Sequence, residues 1–165
     1  MKHLPSSFAY ALPPSTSSFF SNLRSSSSIP TSDTMILGIG TDIVLVSRIQ
    51  DALEKYGDRF LRRIFTEGER AYCEAQKYKF QHYAARFAAK EAFSKAIGTG
   101  LTGEMTWTSV EVVKRRSGEP FLRLHNKIAE KYGNCRVLVS LSHTSESALA
   151  MVAIETDDET LLRQL

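Results

Sequence analysis

One carboxylate falls where the surrounding pattern calls for apolar side chains. The stretch Arg86-Phe87-Ala88-Ala89-Lys90-Glu91-Ala92-Phe93-Ser94-Lys95 is built from helix formers and holds no Gly, Pro or β-branched residue. Upstream, Phe80, Tyr83, Ala84 and Phe87 recur at helical spacing, and the same stripe continues through Ala88 to Glu91. Lys95 lies one turn further on over the same face. The pattern predicts a central helix from about Phe80 to Ile97, closed by Gly98. A carboxylate near a core face is costly unless it is paired or holds a metal. Glu91 is therefore either half of an ion pair with Lys95 that reaches water, or part of a site.

The rest of the chain arranges itself around that helix. Met35 to Val46 reads as a strand interrupted by Gly38 and Gly40, which predicts a bulge or a close backbone approach. Asp42 shares alternation parity with both glycines, so it ends a face of small residues. Ser47 is a candidate N-cap for a helix carrying Ile49, Leu53 and Tyr56 on one side and ending near Gly57. Thr66-Glu67-Gly68-Glu69 reads as a capping box for a short helix to about Gln76. After the central helix come a hairpin (107–116 and 121–124, turning at Ser117-Gly118-Glu119-Pro120), a short helix at 126–132, and antiparallel strands at 135–142 and 148–155. Gly98-Thr99-Gly100-Leu101-Thr102-Gly103 matches the dinucleotide fingerprint letter for letter. That fingerprint needs a strand before it and a helix after it, and this one has the reverse, so a nucleotide fold is rejected.

Composition narrows the class. With 165 residues, 42% hydrophobic and 24% charged, the chain suits one globular domain with a real core. A net charge of +3 is too small to argue for nucleic acid, and no apolar run approaches a membrane span. Cys73 and Cys135 lack metal-ligand spacing and read as unpaired thiols of a reducing compartment. Residues 1–34 differ from the rest: serine-rich, broken by Pro5, Pro13, Pro14 and Pro30, and free of acids before Asp33. Such a segment is expected to be disordered and resembles an organellar transit peptide. Its scarce arginine leans towards plastid over mitochondrion; translation from Met35 would instead leave the protein cytoplasmic. Residues 156–165 read as a frayed acidic tail.

Asp42 and Glu91 are the two acids that the pattern turns inward. Two carboxylates without a His or Cys cluster argue against zinc and suit Mg²⁺, which takes one or two carboxylates and completes its shell with water and substrate phosphates. Arg86, Lys90, Lys95 and His143 would supply positive charge for those phosphates, together with the hydroxyl-rich loop Ser142-His143-Thr144-Ser145-Glu146-Ser147. That loop reads equally well as a plain hairpin turn. Arg48, Lys55, Arg59, Arg62 and Arg63 cluster on and just after the first helix, a face that is either merely solvated or suited to an acidic partner. From the residues alone the reading is a Mg²⁺-dependent enzyme acting on a phosphorylated small molecule.

Gly38-Ile39-Gly40-Thr41-Asp42-Ile43-Val44, the Arg86–Lys95 stretch and Ser140-Leu141-Ser142-His143-Thr144 together resemble the holo-acyl-carrier-protein synthases, the bacterial type of 4′-phosphopantetheinyl transferase. The resemblance runs from about Met35 to Glu155; the extension before Met35 departs from the bacterial pattern. It implies an α+β fold with antiparallel strands wrapped around a long central helix, a domain at 35–155, and a homotrimer with sites between neighbours. It implies transfer of the phosphopantetheine arm of coenzyme A to a serine of acyl carrier protein, as in fatty acid biosynthesis. Asp42 and Glu91 would then bind Mg²⁺, with Glu91 taking the serine proton and Lys95 stabilising phosphate charge. Arg86, Lys90, Lys95, Ser142, His143 and Thr144 would bind coenzyme A, and the basic face would dock the acidic carrier. The rival readings are a non-catalytic carrier-binding module and a Mg²⁺-dependent phosphohydrolase of coenzyme A-like compounds.

Overall fold

A computed structural model describes residues 34–101 and 103–162. The predictions for residues 1–33 lie outside the described residues. The element order is β1 (Met35–Leu45), α1 (Val46–Ile64), α2 (Glu67–Glu74), α3 (Lys79–Ala96), a 3₁₀ turn (Trp107–Ser109), β2 (Val110–Lys114), β3 (Pro120–Leu124), α4 (Asn126–Tyr132), β4 (Arg136–His143), β5 (Ser147–Thr156) and α5 (Glu159–Leu162). A three-stranded antiparallel sheet, ordered β1-β5-β4, and the β2-β3 hairpin surround α3. The expected α+β frame is therefore present, with the strands wrapped on a long central helix.

The helix is buried on nearly every side, from Tyr83 to Ala96, as expected of an element at the centre of a fold rather than on its surface. Alanines on its sheet-facing side allow β1 to approach closely. A Cβ on Gly38 would lie 1.9 Å from the carbonyl oxygen of Ala96, and one on Gly40 would lie 2.0 Å from that of Ala92. Both predicted uses of glycine are realised here, because the β1–β5 register also shifts between Ile36 and Gly38. Pulled against α3 in this way, β1 directs Asp42 towards the C-terminal half of the helix.

Several boundaries differ from the sequence reading. Ser47 caps nothing: α1 begins at Val46, and its first N–H donates to the Glu146 carbonyl at 2.8 Å, so a neighbouring loop does the work of a side-chain cap. The first helical stretch does end near Gly57, as expected, but a second one follows directly and the element runs on. It breaks there, with φ 58°, and resumes to Ile64. The expected strand at 107–116 opens as a 3₁₀ turn and pairs only from Val110. The tail carries a short helical turn, α5, where Asp158 accepts from the Thr160 N–H at 2.9 Å and so tethers its start. Gly98, Gly100 and Gly103 all take positive φ in the loop after α3, so the fingerprint look-alike is a glycine turn behind a helix. Cys73 and Cys135 are both free thiols. Among the described residues no helix is long and apolar enough to cross a membrane.

Candidate active site

Asp42 and Lys95 meet across the β1–α3 contact. The Lys95 ammonium donates to Asp42 Oδ1 and to the Thr41 carbonyl, each at 2.9 Å. The simple pairing of Lys95 with Glu91 is thus displaced: the lysine reaches sideways to the strand. Glu91 lies one turn earlier on α3, half-buried, and no group among the described residues donates a hydrogen bond to its carboxylate. Desolvation pushes its pKa up, and the nearby Asp42 charge adds to this; Lys95 and Arg48 oppose it. The four side chains form one electrostatic cluster of two carboxylates and two cations.

The donor set fits a hard divalent cation. The Asp42 carboxylate is near enough to oppose the ionisation of Glu91, and of the two acids Lys95 bonds only Asp42. No group of three or more His, Cys, Asp or Glu side chains suited to a metal occurs among the described residues. Asp42 and Glu91 would therefore be the protein's share of a shell completed by water and substrate oxygens, which is how Mg²⁺ is held.

This has a measurable consequence. A carboxyl group whose folded pKa lies above its unfolded value binds protons preferentially in the native state. Ionised Glu91 therefore destabilises the metal-free protein, increasingly as pH rises from the ordinary carboxylate range through its raised value. Glu91→Gln is expected to melt above wild type in EDTA at neutral pH, with the difference shrinking near pH 4. Mg²⁺ should raise the melting temperature of wild type and leave that of the variant unmoved. A wild type whose melting ignores both Mg²⁺ and the substitution would remove the metal site.

The remaining candidate residues divide. Lys90 is a correction: it is fully buried, 2.7 Å from Glu69 Oε2, and donates to the carbonyls of Ile64 at 3.0 Å and Trp107 at 2.8 Å. It reaches no surface at which a phosphate could bind. Glu69, read only as the far end of a capping box, is a further inward acid: besides the box it accepts from the Val112 N–H at 2.9 Å. Thr144 is occupied in its own turn, its hydroxyl oxygen accepting from the N–H groups of Glu146 and Ser147 at 3.1 Å each. The plain-turn reading thus describes what its oxygen accepts, and its O–H can still donate to a ligand, while Ser142 and His143 sit exposed at the end of β4.

Arg86 and His143 do come together. They line a cavity of about 190 Å³ with His82, Tyr72 and Lys114. The Arg86 guanidinium lies 4.1 Å from the Tyr72 ring centroid and donates to the His82 carbonyl at 3.3 Å, yet among the described residues its buried Nε has no hydrogen-bond partner. The His82 ring stands 5.8 Å from that of His143. Burial holds the His82 pKa down, and the Arg86, His143 and Lys114 charges press it further. Cations gathered this closely favour an anion among them. His82 escaped the sequence reading, although its position four residues before Arg86 places both on one helix face.

The basic face is also more structured than its charges alone imply. Lys55, Arg59 and Arg63 border a cavity of about 620 Å³, lined also by Tyr56, Phe60, Ile64 and Trp107. Arg48 stands apart, near enough to Glu91 to affect its ionisation, and Arg62 is tied to Asp58.

A carboxylate pair flanked by cations on an α+β frame is an arrangement suited to a phosphorylated substrate. The family model for the 4′-phosphopantetheinyl transferase superfamily matches residues 38–152, and the chain belongs to that family. It is 48% identical over 124 residues to a holo-[acyl-carrier-protein] synthase of Solibacter usitatus, covering 73% of this chain and 99% of that protein. Among solved structures, a holo-(acyl-carrier-protein) synthase from Bacillus anthracis in complex with CoA (3′,5′-ADP) superposes with a TM-score of 0.64 at 39% identity, covering 74% of this chain and 98% of that one. The synthase from Neisseria meningitidis gives a TM-score of 0.69 at 37% identity, covering 74% and 100%.

Proposed function

We infer that this chain transfers the 4′-phosphopantetheine arm of coenzyme A to a serine hydroxyl of an apo-acyl carrier protein, releasing adenosine 3′,5′-bisphosphate. The observation that carries the reading is the meeting of Asp42, Glu91 and Lys95 at one place in a chain of this family. The serine oxygen forms a bond to the β-phosphorus of coenzyme A, and the bond from that phosphorus to the bisphosphate oxygen breaks. Glu91 accepts the serine proton. Lys95, anchored on Asp42 and the Thr41 carbonyl, is a fixed cation for the charge on the transferring phosphoryl oxygens. Asp42 and Glu91 would hold Mg²⁺, whose charge would supply neutralisation of the leaving bisphosphate. Arg86, His82 and His143 offer their cavity to another phosphate of the same substrate.

The test is release of adenosine 3′,5′-bisphosphate from coenzyme A and Mg²⁺, followed with and without apo-carrier. Release that depends on the carrier and equals the holo-carrier formed supports transfer. Release without carrier would identify a phosphohydrolase, and none in either case a binding module.

The carrier is proposed to dock on the basic face. Arg59→Glu and Arg63→Glu, at the rim of the larger cavity, should raise the carrier KM about tenfold or more at low salt and leave the coenzyme A KM unchanged. Arg62→Glu should do less, because Asp58 already holds that guanidinium. Salt should bring wild type towards the variants, since screening acts over about 8 Å at physiological ionic strength. Carrier kinetics indifferent to both reversals would move docking elsewhere.

The proposed trimer is supported by an apolar stripe on the sheet face turned away from α3. Ile39, Ile43, Leu138, Leu149 and Met151 are all exposed there, and Ile43 pairs with Leu149 across β1 and β5. The transferase domain is assigned to residues 35–155, and residues 1–34 are proposed to be an organellar transit peptide. Fused to a fluorescent reporter, residues 1–34 should direct it to an organelle, plastid before mitochondrion. A diffuse cytosolic signal would end that proposal.

A further inference from the structure

Lys90 is the one lysine of the central helix that binds no solvent and no candidate substrate group, yet it sits beside Glu91 in the chain. Its ammonium gathers three separate segments. It donates to the Ile64 carbonyl at the end of α1 and to the Trp107 carbonyl in the 3₁₀ turn, and it pairs with Glu69 of α2. Glu69 in turn accepts from the Val112 N–H of β2 and from the Thr66 N–H. Ile64 and Trp107 are also lining residues of the large cavity bordered by Lys55, Arg59 and Arg63. The Trp107 ring stacks on Phe87, 4.6 Å between centroids, one turn before Lys90 on the same helix. The floor of the basic-rimmed cavity is therefore fastened, through one buried cation, to the helix position next to Glu91.

We propose that Lys90 is a positioning residue for the carrier: it fixes the cavity floor relative to Glu91, so that a carrier docked on the basic face presents its serine to the Asp42–Glu91 carboxylates. This role rests on the transferase reading above. It explains why a fully buried ammonium is spent on two backbone carbonyls of different segments, when an apolar side chain of the same length could fill the space.

Single substitutions would strand a buried charge, so the test uses paired ones. Lys90→Met with Glu69→Gln removes both charges and both carbonyl bonds, and Lys90→Gln with Glu69→Gln is a second, polar version. For each, folding is measured by circular dichroism and thermal melting. The kcat and KM for carrier and for coenzyme A are then compared with wild type, normalised to active sites by coenzyme A binding. The expected result is a folded protein whose coenzyme A KM stays within about twofold, while kcat/KM for carrier falls tenfold or more. A purely structural role would lower the melting temperature and leave the per-site carrier constants unchanged; that outcome overturns the proposal. Failure of both pairs to fold would make Lys90 a folding residue and overturn it as well. A wild type that modifies no carrier in the same assay would bring down the transferase reading, and this role with it. Normal variants beside an active wild type would bring down this role alone.

Discussion

Lys90→Ala is expected to lose about 3–5 kcal/mol of stability, a large share of what a domain of this size has in hand. The cause is not the lost packing alone. Glu69 would remain fully buried with its charge no longer paired, and the Ile64 and Trp107 carbonyls would each lose a charged donor. Burial already holds the Lys90 pKa below the usual lysine range, with Glu69 opposing that shift. Lowering a lysine's pKa on folding makes its ionised form a cost, so the lysine is retained only because the carboxylate and carbonyls meet it. Glu69→Ala should be comparably severe, since it strands the ammonium and orphans the Val112 N–H. Chemical denaturation measures both. If either single variant unfolded at the wild-type denaturant midpoint, the buried pair would not have the structural weight assigned to it.

Asp42→Ala and Glu91→Ala are each expected to lose at least about a hundredfold in turnover, or about 3 kcal/mol of transition-state stabilisation, with the fold intact. The two should not fail for the same reason. Asp42→Ala also releases Lys95 from one of its two anchors, so residual activity should stay low at any Mg²⁺ concentration. Glu91→Ala leaves the Asp42–Lys95 pair in place but removes the proposed base. Its remaining activity should rise with pH, as the carrier serine loses its proton to solvent more readily. Circular dichroism separates lost chemistry from lost folding. Near-normal turnover by either variant at saturating Mg²⁺ would remove that residue from the site.

Much of this arrangement was legible in the residue order. Gly38, Gly40 and Asp42 share a parity, and that parity alone placed the carboxylate on the face that β1 turns to the helix. The period from Phe80 onward placed Glu91 beside the core, and the capping box at Thr66 has the predicted geometry. What stayed hidden depends on contacts between segments distant in sequence. Nothing local says that Lys90 faces inward while Lys95 faces a strand 53 positions earlier. Both are helix lysines, and only the segments packed around α3 tell them apart. Glu69 looked complete as a cap because its second partner, Val112, lies 43 residues away. Ser47 looked like a cap because the competing carbonyl of Glu146 comes from the far end of the chain. Thr144 holds its own turn through its oxygen, a use that no local pattern separated from phosphate binding.

The transferase reading is tested most directly by the intact mass of a purified apo-acyl carrier protein after incubation with this chain, coenzyme A and Mg²⁺. The carrier is expected to gain the mass of one phosphopantetheine arm at a single serine, and neither EDTA-treated wild type nor Glu91→Gln should produce the gain. A carrier that stays in its apo form while the folded protein binds coenzyme A and carrier alike would contradict that reading.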